Sequence, residues 1–208
     1  MEVICPHCKS THKVKVRNKK TGWILFLALL GVAVFFDFRI VYGSEKYADE
    51  LRKHINRIID GKNTFFRLLA SEVSKYNIPT DIFKENGSEN APAAHESFNI
   101  KNAISPLVDF IRVYSIQHHV GESNSLLRLE KMLRKNIIPE EEYHEIENIY
   151  SRMMEIRFRS QVNAILDNKS PDNMVIREEL AVIEQTMIRK TFSEIIRYQQ
   201  KMLDDFSV

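Results

Sequence analysis

Cysteine is absent after residue 8, and glycine and proline number only six each among 208 residues. The first absence keeps disulfides and thiol nucleophiles out of everything beyond the first ten residues. The second argues against a turn-rich β fold and for long helices. No period-2 alternation is long enough to mark a strand, and no internal repeat is visible. Gly-x-Ser-x-Gly and glycine-rich phosphate loops are missing too, which removes the hydrolase and P-loop classes that carry those signatures. A large basic excess is also lacking: 30 Lys and Arg stand against 28 Asp and Glu, a formal +2. No nucleic-acid partner is expected from such a balance.

What is present is unevenly distributed. Apolar residues make up 44% and charged residues 28%, a globular composition. Residues 1–22 hold six cations and one acid, whereas beyond Tyr42 there are 23 cations and 26 acids. Between them, Trp23 to Phe36 is fourteen residues without a charge, and Phe38, Ile40, Val41 and Tyr42 extend the apolar character to twenty. Twenty helical residues reach about 30 Å, the thickness of a bilayer core. Trp23 and Tyr42 suit the two interfaces, and Arg39 can snorkel to headgroups. The sequence therefore predicts a single membrane-spanning helix over 23–42. A buried core helix or a cleavable signal peptide are the competing readings. The six cations before the span keep the N-terminus cytoplasmic by the positive-inside rule and face anionic lipid. They place residues 43–208 outside the cell or inner membrane.

The opening stretch VICPHCKSTHKVKV resembles one half of a zinc ribbon, with Cys5 and Cys8 in a C-P-x-C turn between short extended segments. The resemblance implies Zn²⁺ held by Cys5 and Cys8, with His12 a candidate third ligand. The missing second Cys-x-x-Cys would come from another copy of the chain, making a homodimer through the knuckle, or from a different protein. Thiol redox chemistry at Cys5 and Cys8 is the alternative use of that spacing.

The remainder reads as an all-α bundle of four or five helices. Ser44 is a candidate N-cap for a stripe running Leu51, Ile55, Ile58, Phe65, Leu69, Val73 and Tyr76, with Gly61 a possible interruption and Ile78-Pro79 the end. Residues 85–97 form a polar loop. A second stripe is Ile100, Ile104, Leu107, Ile111 and Tyr114, with Ser105-Pro106 as the start of its main helix. A third carries Leu126, Leu129, Met132 and Leu133. Pro139 followed by Glu140, Glu141 and Glu142 starts a fourth, striped by Tyr143, Ile146, Tyr150, Met153, Val162 and Ile165. Ser170-Pro171-Asp172 opens a fifth, striped by Ile176, Leu180, Ile183, Met187, Ile195 and Met202.

Glu141-x-x-His144 matches one element of a di-iron bundle, but no second copy exists, and a first-turn glutamate is ordinarily a surface residue. His118 and His119 sit where a helix ends, which favours capping over ligation. Asn86 and Asn168 head glycosylation triplets for a eukaryotic lumenal chain. With no catalytic constellation, the sequence predicts a non-enzyme: a membrane-tethered interaction or adaptor protein, or alternatively a membrane sensor transmitting movement to the knuckle. The protein partner is not identified by the sequence.

Overall fold

The computed structural model describes residues 2–4, 11–13, 44–83 and 97–207. The chain divides into two compact units, residues 1–35 and 36–208. In the first, β1 (Glu2–Ile4) pairs antiparallel with β2 (Thr11–Lys13), with Val3 opposite His12. The intervening residues, Cys5 and Cys8 among them, lie outside the described residues.

Residues 23–42, the expected membrane helix, also lie outside them. Among the described residues no helix is long and apolar enough to cross a membrane. The two longest helices have the length, at 27 and 24 residues, but are charged throughout, from Glu140-Glu141-Glu142 to Asp204-Asp205. This overturns the expectations of a single-pass anchor, a lipid partner and a cell-membrane location; the second unit is helical with one short strand pair, and the first unit holds the other.

In the second unit the expected thirty-residue first helix is two. Helix α1 (Glu45–Ile59) starts at the Ser44 cap, whose side chain accepts the Lys46 N–H. It ends at Asp60, and Gly61 takes φ +65°, a left-handed turn that glycine enters without strain. Helix α2 (Asn63–Val73) buries Phe66, Leu69, Ala70 and Val73. The polar loop 85–97 lies outside the described residues apart from Ser97.

Helix α3 (Ile100–Gln117) is the centre of the domain and contacts α2, α4, α5 and α6. The expected stripe Ile100, Ile104, Leu107, Ile111 and Tyr114 is buried. Its start differs from expectation. The Asn99 side chain accepts the Asn102 N–H at 3.1 Å, so the helix begins there and Pro106 lies inside it. Helix α4 (Ser125–Arg134) is capped by Asn124, and α5 (Glu140–Leu166) starts after Pro139 with three glutamates on the positive end of its dipole.

The expected fifth helix at Ser170 is instead a loop, a strand and a 3₁₀ turn. The Asp172 carboxylate accepts the Met174 N–H at 2.9 Å, turning the chain into β4 (Met174–Ile176). β4 pairs antiparallel with β3 (Ser97–Asn99), with the buried Phe98 opposite the buried Val175. Three residues are too few to show a strand period. Helix α6 (Val182–Asp205) then buries Ile188, Phe192, Ile195, Tyr198 and Met202, while the expected Ile183 and Met187 are exposed.

The scarcity of glycine leaves its mark on the helix ends. After α3, α4 and α5 the left-handed residue is His119 (φ 55°), Asn136 (φ 54°) and Asn168 (φ 56°). Each end closes as a Schellman motif: Val120 N–H bonds Ser115 O at 2.8 Å, Ile137 bonds Met132 at 2.9 Å, and Lys169 bonds Ala164 at 2.8 Å. A histidine there carries a left-handed penalty that asparagine relieves and glycine lacks. His119→Gly is expected to raise stability by about 1 kcal/mol, read as a higher urea midpoint at unchanged slope.

Candidate functional site

The site is built on the second half of α5. Arg157, Ser160 and Gln161, at i, i+3 and i+4, share a face of that helix. All three reach into the loop that follows it. Arg157 Nε donates to Asn173 Oδ1 at 2.8 Å, Ser160 Oγ to Met174 O at 3.1 Å, and Gln161 Nε2 to Asp172 O at 3.2 Å. From the other side, Ile100 N–H donates to Asn173 O at 2.9 Å, tying the loop to the head of α3. Downstream, Gln185 holds the 3₁₀ turn (Arg177–Glu179) by donating to Arg177 O at 3.2 Å and Leu180 O at 3.0 Å. The distal end of the seven-residue connection 167–173 is thus pinned by side chains, and its proximal end is closed by the Lys169 N–H to Ala164 O bond.

Pinning the loop leaves a cleft of about 420 Å³ between α5 and β4. Its apolar wall is Leu166, Met174 and Ile176, and its polar wall is Asn163, Asp167, Lys169, Ser170, Asp172 and Glu179. Lys169 bonds Asp167 at 3.1 Å, and Asp172 holds the turn to β4. Asn163, Ser170 and Glu179 remain available to a ligand. Three carboxylates against one ammonium make the cleft electronegative.

A second cleft of equal volume lies among α2, the end of α3 and the end of α6, lined by Asn63, Thr64, Arg67, Gln117 and Asp205. Asp205 is already engaged there by the Tyr114 hydroxyl. A smaller apolar groove of about 140 Å³ runs between α5 and α6, floored by Met153, Ile156, Met187 and Ile188. Of these three clefts among the described residues, the α5–β4 cleft combines a pinned loop with available polar groups, which is what a pre-formed binding site needs.

A ladder of polar contacts fixes α5 against α6 and so fixes one wall of the cleft. Lys201 pairs with Glu142 at 3.2 Å, the Tyr198 hydroxyl donates to Glu145 at 2.8 Å beside the Arg197–Glu145 pair, and Arg159 pairs with Glu184 at 2.6 Å. Glu184 also accepts the Ala181 N–H at 2.9 Å, half of a capping box, since alanine has no acceptor to return. That backbone bond and Arg159 lower the Glu184 pKa.

Burial pushes the Glu145 carboxyl up, but the bonds from Arg197 and Tyr198 outweigh it and hold its pKa below the ordinary value. Tyr198 is correspondingly pushed up by burial and by its bond to Glu145. The folded state therefore binds the Glu145 proton less readily than the unfolded chain does. The contribution of the Glu145 contacts is complete above the ordinary pKa of 4.5 and is lost as pH falls through the lower folded value. Glu145→Gln is expected to reduce stability at pH 7 and to flatten the decline of melting temperature below pH 4.5.

The sequence-derived candidates lie elsewhere. His12 sits in β2, and Cys5 and Cys8 are outside the described residues. Among the described residues no group of three or more His, Cys, Asp or Glu is placed to hold a metal ion. His144 lies on the surface of α5 between Glu140 at 3.7 Å and Glu147 at 3.6 Å, and Glu141 is in the exposed first turn. His118 caps α3, where burial, then the neighbouring His119 and Lys135, lower its pKa. None of the cleft residues was singled out as a site by sequence reasoning; Ser170 and Asp172 were read as a helix start and Ile176 as part of its stripe. The one usable signal was the polar triplet Arg157, Ser160 and Gln161 on a single helix face.

No curated protein and no solved structure matches the chain. A family model described as "Putative nucleotidyltransferase substrate binding domain" matches residues 63–206, from the start of α2 to the end of α6. This match overturns the zinc-ribbon resemblance as a guide to the chain's family, and with it the zinc-knuckle keywords. It also replaces the interaction-protein and sensor readings, and it moves the expectation from non-enzyme to an enzyme-related role. With more than half of its length inside the match, the chain belongs to the family of putative nucleotidyltransferase substrate binding domains.

Proposed function

We propose that this chain performs the substrate-binding step of nucleotidyl transfer, holding the acceptor in the α5–β4 cleft. In such a transfer a hydroxyl or amine of the acceptor attacks the α-phosphorus of a nucleoside triphosphate, and pyrophosphate leaves. Metal ions held by clustered carboxylates ordinarily stabilise both the attacking and the leaving oxygens. The described residues contain no such cluster. Their part is to bind and orient, with the catalytic groups coming from elsewhere.

The electronegative lining of the cleft carries the choice between the two substrates. Asp167, Asp172 and Glu179 against Lys169 alone would repel a triphosphate and attract an acceptor bearing amines and hydroxyls. Asn163 and Ser170 add uncharged hydrogen-bonding groups suited to hydroxyls.

Calorimetric titration of the full chain with a polyamine, spermidine, and separately with magnesium-ATP tests this. Saturable spermidine binding that weakens about 3- to 10-fold in Glu179→Ala, the worth of one ordinary hydrogen bond, supports the reading. Saturable ATP binding that is weakened by the same substitution, with spermidine inert, would assign the cleft to the donor and sink it.

A further inference from the structure

We infer that the acceptor in the α5–β4 cleft is an amine carried on an aliphatic body, read by Met174, Ile176 and Leu166; this rests on the assignment of that cleft to an acceptor. Strand β4 alternates. Val175 turns into the domain, 4% exposed and opposite Phe98, so Met174 and Ile176 share the other side of the strand. Their cross-strand partners on that side are polar, with Asn99 opposite Met174 and Ser97 opposite Ile176. The side of a ribbon turned away from the core ordinarily carries polar residues throughout. Here two apolar residues stand on it, and both line the cleft. Leu166, 74% exposed at the end of α5, lines it from the facing element. A single exposed apolar side chain is ordinary; three from two elements, converging on one cleft, form an apolar subsite.

The charged groups decide what accompanies the aliphatic body. Lys169 is held by Asp167 at 3.1 Å, and Asp172 accepts the Met174 N–H at 2.9 Å. Glu179 is the carboxylate left to take a counter-charge. Ile176 caps the 3₁₀ turn that ends at Glu179, and both line the cleft, so a cation at that carboxylate has the apolar wall beside it. The other acceptor chemistries fit less well. A hydroxyl-rich amine leaves the apolar wall against water. A fatty acid supplies the chain but brings its carboxylate against those of Asp167, Asp172 and Glu179. An alkyl amine satisfies both walls.

The test holds the charge fixed and varies the chain. The methyl-labelled full chain is titrated with ethylamine, butylamine and hexylamine, with hexanoate as the chain of opposite charge and spermidine as the control for the cleft itself. Each methylene that enters an apolar contact is worth up to about fourfold in affinity. Hexylamine is therefore expected to bind at least about tenfold tighter than ethylamine and than hexanoate, with saturating shifts at the methyls of Met174, Ile176 and Leu166. Met174→Ser combined with Ile176→Ser should abolish the dependence on chain length. Leu166→Ser, at a position the core does not use, should reduce it, and it serves in place of the double variant if the ribbon fails to form. Affinities that ignore chain length while spermidine still binds overturn the inference and leave the acceptor assignment standing. So does hexanoate binding as tightly as hexylamine, or shifts centred on Val162 on the outer face of α5. Silence from every amine, spermidine included, ends the acceptor assignment and this inference with it.

Discussion

Phe192→Ala is expected to destabilise the domain by about 3–5 kcal/mol, as loss of a fully buried aromatic does elsewhere. Phe192 has no exposed surface and closes a triangle of edge-to-face rings, with centroids 5.7 Å from Phe83 and 5.4 Å from Phe98, which are themselves 5.9 Å apart. These three rings join elements far apart in the chain: the 3₁₀ turn at Thr80–Phe83, strand β3 and helix α6. A domain of this size has on the order of 5–15 kcal/mol of stability in total, so the loss is a large fraction. It corresponds to a fall of roughly 6–20 °C in melting temperature. Phe98 is paired with Val175 across the β3–β4 ribbon, so protection of the β4 amides from hydrogen exchange should fall with the global stability. Phe192→Leu, which keeps most of the volume, should lose less than half as much.

Arg157→Ala combined with Gln161→Ala is expected to act the other way round, leaving the core and removing the site. Both side chains are half-buried and donate to the loop at Asn173 and Asp172. Their loss costs the loop two hydrogen bonds, one from a charged donor, of about 1.5–3 kcal/mol together with the groups left unpaired. The helices on either side keep their buried stripes, so melting should remain cooperative. What changes is pre-organisation. A released loop must be ordered again on binding, and the affinity for an acceptor mimic such as spermidine should drop roughly 10- to 100-fold. Trypsin cleavage at Lys169, slow in the parent, should become fast in the double variant. If affinity fell but the loop stayed protected, Arg157 or Gln161 would be touching the ligand directly.

The sequence was legible where one face of a helix carries all the burial. The stripe from Ile100 to Tyr114 and the start at Pro139-Glu140-Glu141-Glu142 were readable for that reason. Reading failed where apolar residues serve something other than the core. Val162 and Ile165 were read as continuing the stripe of Ile146 and Met153, but over a 27-residue helix they turn to the opposite side and are exposed, as Ile183 and Met187 are on α6. Local side-chain bonds misled in a different way. Asn99 caps α3 six residues before the Ser105-Pro106 pair that looks like a start, and Asp172 turns the chain into a strand where Ser-Pro-Asp looks like a helix head. The cleft was invisible because its parts come from a helix, a loop and a 3₁₀ turn whose meeting depends on β3 pairing with β4, Phe98 with Val175, far along the chain. Neither did any short motif carry the family, whose signature is spread over residues 63–206. By contrast the Cys5/Cys8 pair, the most conspicuous local pattern, lies outside the matched region.

The central claim is that the α5–β4 cleft receives a cationic acceptor. Amide chemical-shift mapping of the full chain during titration with spermidine tests it most directly. Saturating shifts confined to Asn163, Lys169–Asp172 and Glu179, absent with magnesium-ATP at the same concentrations, are the predicted result. Shifts centred instead on Asn63, Arg67 and Asp205, or none that saturate, would contradict it and move the search for the substrate site away from α5.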